Sequence, residues 1–354
     1  MKLNHILYSY ITNMDFDIEN EWQLFLDTNE IKEEEVHFGV ESCSSETPPE
    51  PNPLYISTKS LINYISTTLD INTLFWMIPI SEYATPNEGI IKKQMKFTTF
   101  NQEDLDVIQQ KLSIETCRVE EQVSYNINNP TGRIKFKDVR KISVGISKRD
   151  IMSSKSKKIG AFYNCLALIV RIRLPDEIKF REMHVKLFNT GKLEIPGIQS
   201  SVHGEYILNT ILDILNKCIR PLVPITVQVD QSEIVLINSN FNCNFYINRD
   251  ALFEKLQKKY SIKCIYDPCS YPGIQCKYTI SPGVEVSYMI FRTGSVLIVG
   301  KCTEEDIYNI YEYVKNILHT EYSFIHQPLN PRDATGVQIK PKKIRTKTIH
   351  FYDI

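Results

Sequence analysis

Val185-Lys186-Leu187-Phe188-Asn189-Thr190-Gly191-Lys192-Leu193-Glu194-Ile195-Pro196-Gly197 returns as Tyr288-Met289-Ile290-Phe291-Arg292-Thr293-Gly294-Ser295-Val296-Leu297-Ile298-Val299-Gly300, at a constant offset of 103 residues. Both copies read as an apolar strand, then Phe-x-Thr-Gly, then a second apolar strand. Thr-Gly between two alternating runs marks a hairpin, because glycine supplies the positive φ that a tight reversal demands. A helix follows each hairpin. Residues 303–318 place Ile307, Ile310, Tyr311, Val314, Ile317 and Leu318 on one stripe, with Thr303 as N-cap and Asp306 as its capping partner. Residues 203–218 repeat the pattern with Ile207, Ile211, Ile214, Leu215 and Cys218, and a third helix over Asn248–Tyr260 buries Leu252, Phe253 and Leu256. The duplicated unit is therefore a strand hairpin backed by a helix. Such a sheet is apolar on both faces while helices cover only one, so something else must cover the second.

The rest of the chain frames this unit. At 354 residues and 42% hydrophobic content it can bury two cores. The longest apolar run, Cys165 to Val170, is far short of the roughly 20 residues of a membrane helix. Met1 to Ile11 lack the pattern of a secretory signal, and nine scattered cysteines suit free thiols in a reducing compartment. The net charge of −1 hides an asymmetry: residues 1–50 hold twelve acidic side chains against Lys2 and Lys32, which leaves the remainder at +9. A basic body suits a phosphate-bearing partner, whose counterions are released on binding, although a generic basic surface also fits. The acidic start, with Glu33-Glu34-Glu35, reads as a solvated arm or as a DNA mimic that shields the basic face. Residues 43–53 have linker composition, and Lys340-Pro341-Lys342-Lys343-Ile344-Arg345-Thr346-Lys347 form a basic tail. Residues 77–157 read as an insertion with its own small fold, with a helix over Gln102–Leu112 and strands near Val123–Ile127 and Arg133–Phe136.

Catalysis finds no support. A phosphate loop, a His-Glu-x-x-His pair and a nucleophile elbow are all missing from the sequence. Cys264, Cys269 and Cys276 cluster without Cys-x-x-Cys spacing, and His184 and His203 sit at element boundaries. The expectation is a protein that is not an enzyme and holds no cofactor or metal.

The repeated Phe-x-Thr-Gly hairpin resembles the TATA-box-binding protein family. Tyr266-Asp267-Pro268-Cys269-Ser270-Tyr271-Pro272-Gly273 is similar to that family's Tyr-Glu-Pro-x-x-Phe-Pro-Gly stirrup. Leu168-Ile169-Val170-Arg171-Ile172-Arg173-Leu174-Pro175 resembles its apolar strand ending in Arg-Ile-Arg-x-Pro, and Leu69-Asp70-Ile71-Asn72-Thr73-Leu74 resembles the start of its first helix. The resemblance covers about residues 54–76 and 158–320 and implies an α+β fold. Two tandem repeats would form a saddle with one curved antiparallel sheet and helices on its convex face. Its parts would be an acidic segment and linker at 1–53, repeat one at 54–223 with the insertion at about 77–157, repeat two at 224–320, and a tail at 321–354.

The same resemblance implies a site. Phe188 and Phe291 match two of four aromatic wedges that unstack base steps from the minor groove, and Tyr271 falls on the third. The fourth falls on Cys165, or on Phe162 if the register slips. Arg171 and Lys277 take the paired basic position of the two halves, with Arg173 beside the first, and Lys192 follows the turn glycine where repeat two has Ser295. Near the pseudo-twofold axis Asn238 or Asn240, Thr58 and Val299 take positions that read base edges, while Pro196 departs from the pattern. Asp267, Pro272 and Gly273 would meet a partner protein. The implied function is a general transcription initiation factor that binds and bends A·T-rich promoter DNA through the minor groove. Its partners would be double-stranded DNA, a transcription factor B-like protein and RNA polymerase, with no membrane. Two alternatives use the same fold: a non-promoter DNA-binding or packaging accessory, and a protein-interaction scaffold. Abundant Ile, Asn, Lys and Tyr suggest an A·T-rich genome. The insertion and divergent wedges point to a large DNA virus, hence to a host nucleus, a cytoplasmic viral factory or a virion.

Overall fold

The computed structural model describes residues 47–152, 163–174 and 177–327. The expectations for residues 1–46, for Phe162 and for the basic tail lie outside the described residues.

Twelve strands are joined in one sheet. They are β1 (Tyr55–Tyr64), β2 (Gly89–Thr99), β3 (Val119–Asn128), β4 (Phe136–Gly145), β5 (Cys165–Ile172), β6 (Arg181–Phe188), β7 (Lys192–Ile198), β8 (Glu233–Asn242), β9 (Cys264–Ile265), β10 (Ile274–Ser281), β11 (Val284–Ile290) and β12 (Ser295–Gly300). Their spatial order is β3-β4-β2-β5-β6-β7-β1-β8-β12-β11-β10-β9, and every pairing is antiparallel. From the central β1–β8 contact outward, β7, β6, β5 and β2 on one side answer β12, β11, β10 and β9 on the other. The two hairpins of the repeat are β6–β7 and β11–β12. Their turns match in detail: Gly191 and Gly294 both have φ of 82°, and their N–H groups donate to Phe188 O at 3.0 Å and Phe291 O at 3.1 Å.

Helices α1 (Ile71–Met77), α2 (Gln102–Ser113) and α4 (Ser201–Ile219) pack on one face of repeat one, and α5 (Arg249–Lys258), α6 (Glu304–Thr320) and α7 (Tyr322–Ile325) on the same face of repeat two. Two cores result. One joins Phe75, Leu166, Leu187, Leu193, Ile207 and Ile211, the other Phe241, Ile274, Tyr288, Ile298, Ile310 and Val314. Alternation along each strand sends every second side chain into these cores and its neighbours to the opposite face. The α6 stripe is as expected: Ile307, Ile310, Val314, Ile317 and Leu318 are buried. Its capping box is complete, Thr303 accepting from Asp306 N and the Asp306 carboxylate from Thr303 N, and is worth about 1 kcal/mol.

The segment read as an independent small fold instead continues the main sheet. Strand β2 takes the place of the two-residue β9 and extends to eleven residues, and β4 and β3 are added beyond it. The expected strand at Arg133–Phe136 begins only at Phe136 and runs to Gly145. Charge hid both strands. Lys93, on β2, is buried on the helix side, donates to Ile78 O at 3.0 Å and lies 5.0 Å from the Phe75 ring centroid. Burial pulls its pKa down, against the opposing pull of Glu115. On β4, buried Arg140 and Asp138 satisfy each other at 2.6 and 2.9 Å, and Arg140 also donates to Glu121 at 2.7 Å.

Candidate nucleic-acid interface

The sheet face opposite the helices carries the residues singled out above. At the outer end of repeat two, Phe291 and Tyr271 form an edge-to-face pair with ring centroids 5.9 Å apart. Neither ring belongs to a hydrophobic core, and both are partly exposed. Buried Gly273 makes room for them: a Cβ there would lie 3.0 Å from Phe291 Cε1 and 3.1 Å from Tyr271 Cε1. The preceding turn closes on Asp267, whose carboxylate accepts from Ser270 Oγ at 2.7 Å and Cys269 N at 3.0 Å. The Ser270 hydrogen bond, followed by that of Cys269, holds the Asp267 carboxyl below its ordinary pKa. Pro272 is exposed, and its carbonyl accepts from Arg249.

Repeat one offers Phe188 in the matching place, partly exposed, with Lys192 Nζ 5.2 Å from its ring centroid. Lys192 also lies 3.7 Å from Glu194. The strand register identifies what stands beside Phe188. Cys165 lies opposite Phe188, and Ile274 lies opposite Ile290, which places Gly273 opposite Phe291. Cys165 is thus the counterpart of Gly273, and Tyr163, two residues earlier, is the counterpart of Tyr271. Cys165 is buried, whereas Tyr163 is 61% exposed with Lys96 Nζ 3.9 Å from its ring centroid. Counting strand partners outward from the duplicated Phe-x-Thr-Gly turn leads to Tyr163, whereas alignment on the Arg-Ile-Arg segment leads to Cys165, two residues on.

Near the centre, Asn238 donates to Thr58 Oγ1 at 3.0 Å across the β1–β8 contact, and Val299 lies opposite Asn238. Asn240 pairs with Leu297 on one side and Tyr55 on the other. Asn238 and Val299 retain only 8% and 6% of their exposure, so neighbouring side chains already crowd this apolar floor. Farther out on the same face, Lys277 on β10 is exposed and donates to Ser287 Oγ at 2.8 Å.

The family profile described as "Transcription factor TFIID (or TATA-binding protein, TBP)" matches residues 233–320, the whole of the second β8-to-α6 unit. This quarter of the chain is similar to the TATA-binding protein family. Among the chain's relatives is a TATA-box-binding protein-like chain of Acanthamoeba polyphaga mimivirus, 24% identical over 202 residues, which are 50% of this chain and 54% of that one. Another is a candidate TATA-binding protein of African swine fever virus (isolate Pig/Kenya/KEN-50/1950), 25% identical over 147 residues, 39% of this chain and 55% of the relative. The chain thus spans about half the length of the curated relatives it matches. The solved TATA-binding protein of Methanococcus jannaschii is 13% identical, with a TM-score of 0.40 covering 75% of this chain and 98% of that one. Among the described residues no helix is long and apolar enough to cross a membrane.

Several residues stand differently from the family pattern carried over by sequence. Arg171 and Lys277 are not counterparts: Lys277 pairs with Ser287 and therefore answers Ile169, while Arg171 answers Thr279. Arg171 is buried and turned inward, donating to Asn87 O at 2.7 Å, Tyr83 O at 2.8 Å, Glu82 O at 3.1 Å and also Thr85 O. A guanidinium spent on four carbonyls fastens the 82–87 loop and is not presented to a phosphate. Arg173, two residues on, is exposed. Gly273 is buried between rings, whereas Asp267, which closes its own turn, and Pro272 are the exposed members of the expected partner patch. Arg171→Ala would strand those carbonyls, so we expect a stability loss of about 2–4 kcal/mol in urea unfolding. The salt dependence of any DNA complex should stay unchanged.

His184 faces the same side of the sheet. Burial, then Arg149, Lys186 and Lys92, push its pKa down to about 4, with Asp150 opposing. The unfolded chain accepts this proton near pH 6.5 and the folded chain refuses it until about 4. The contribution to stability is therefore complete above pH 6.5 and falls away as pH drops towards 4, by up to about 3 kcal/mol. Urea midpoints at pH 7 and 4.5 should differ less for His184→Gln than for the parent.

Proposed function

We propose that the protein binds A·T-rich duplex DNA on the face opposite the helices, enters the minor groove and bends the duplex as a transcription initiation factor. The observation that carries this reading is the Phe291–Tyr271 pair, two large rings held edge to face outside the core at one end of an apolar sheet face. A ring excluded from both cores and braced by a buried glycine suits insertion between base steps, which costs a few kcal/mol per step. Phe188 with Tyr163 would supply the second wedge pair, at the other end of the same face. Lys277, Lys192 and Arg173 would meet phosphates. The Thr58–Asn238 hydrogen bond sets one donor and one acceptor at the centre, where the minor groove of A·T pairs shows only acceptors. Asn240 and Val299 would line the groove floor. The relatives in mimivirus and African swine fever virus support the family role for this chain, and a large DNA virus as its source.

Pro272, at the tip of a turn stiffened by Asp267 and Gly273, would dock a transcription factor B-like protein that then recruits RNA polymerase. A mobility shift with A·T-rich and G·C-rich duplexes across a salt titration tests the DNA reading. A·T-rich duplex should bind more tightly at every salt concentration, because the exocyclic amine of guanine obstructs the groove floor. Equal binding would favour a packaging accessory, and no binding a protein scaffold.

A further inference from the structure

The two halves of the open face differ. In repeat two the outer positions Lys277, Thr279 and Glu285 are exposed. Their repeat-one counterparts by strand register, Ile169, Arg171 and Glu182, are covered or engaged. Arg171 is held by the 82–87 loop, whereas the segment from Ser147 through the short helix α3 (Lys148–Met152), which follows β4, is tied to β2 at Lys92, the register partner of Ile169, and to β6 at Glu182.

Its attachment is polar and specific. Lys92, only 6% exposed and opposite Ile169 on β5, donates to both carboxylate oxygens of Asp150 at 2.7 Å. The same carboxylate accepts from Ser147 N at 2.8 Å and Ser147 Oγ at 2.7 Å. Glu182 holds the other side, accepting from Lys148 N at 2.9 and 3.1 Å. Lys141 and His184 border the pair: burial and then Lys92 lower the Lys141 pKa, and Lys92 is among the cations that depress His184. Two oxygens of one anion bound to a lysine within a basic cluster reproduce how a DNA phosphate would be met.

We propose that residues 147–152 form a strap that competes with the DNA backbone for the repeat-one half of the open face, with the Asp150 carboxylate standing where a phosphate would sit on Lys92. The proposal rests on the DNA reading above and adds its regulation. Repeat two and the Phe188–Tyr163 end of repeat one are free of the strap, and the part of repeat one around Lys92 and Glu182 opens only when the strap leaves. Because Lys92 exchanges one anion for another, the exchange is nearly balanced and the strap acts as a graded brake.

The test uses full-length protein and an A·T-rich duplex. Asp150→Asn keeps the shape of the side chain and removes its charge, so affinity should rise about tenfold. The slope of log Kobs against log salt should steepen by about 0.9, the value of one added phosphate contact. Hydrogen exchange on the parent protein gives a second readout that needs no variant: the Ser147 and Lys148 amides should lose protection when duplex is added. Equal affinity and slope for parent and variant, or strap amides that stay protected in the complex, would overturn the strap and leave the DNA reading standing. Duplex bound by neither protein would overturn both.

Discussion

Gly294→Ala is expected to lower folding stability by about 3 kcal/mol or more. Two costs add. The φ of 82° lies in the left-handed region, where an L side chain costs about 1–2 kcal/mol. The new Cβ would also sit 2.4 Å from Phe245 O and 2.9 Å from Cys243 Sγ, so backbone must move. Gly191→Ala should behave alike, since its Cβ would meet Thr67 O at 2.4 Å. Gly197 separates the two costs. It has the same φ of 82° with nothing within 4 Å of a built Cβ, so Gly197→Ala should lose only about 1 kcal/mol. Urea unfolding of the three variants checks this. Equal losses at all three would show that close approach contributes nothing.

Phe291→Ala combined with Tyr271→Ala should have the larger effect on function. Each ring lies outside the cores, so their joint removal should cost the fold about 1 kcal/mol, far below the 3–5 kcal/mol of a buried Phe truncation. The complex with A·T-rich duplex should weaken about a hundredfold, because the unstacked steps lose the surfaces that replace base stacking. Phe188→Ala with Tyr163→Ala should weaken it less, since the strap already limits DNA on that half. A double variant that unfolds at low urea would mark the rings as core and remove them from the interface.

The repeat, its hairpins and its helix stripes were legible because each depends on local chemistry. Phe-x-Thr-Gly sets a turn within four residues, and Thr303 with Asp306 caps α6 within one turn. What escaped reading depends on partners far along the chain. Strands β2 and β4 carry Lys93 and Arg140 inside, and such residues can be placed there only once Ile78 O or Asp138 is known to receive them. The Lys92–Asp150 pair spans 58 residues with no local signal. Arg171 looked like a phosphate ligand because its sequence context says so; the carbonyls that claim it come from residues 82–87. Tyr163 was missed for want of a strand register, which hydrogen-bonded pairing supplies and periodicity alone does not.

The claim that the open face wedges into the minor groove is tested most directly by the end-to-end distance of a doubly dye-labelled A·T-rich duplex, followed by energy transfer as protein is added. The structure predicts a marked shortening on binding, lost when Phe291 and Tyr271 are both replaced by alanine at protein concentrations that still saturate the duplex. Saturating binding with an unchanged end-to-end distance in the parent protein would contradict it.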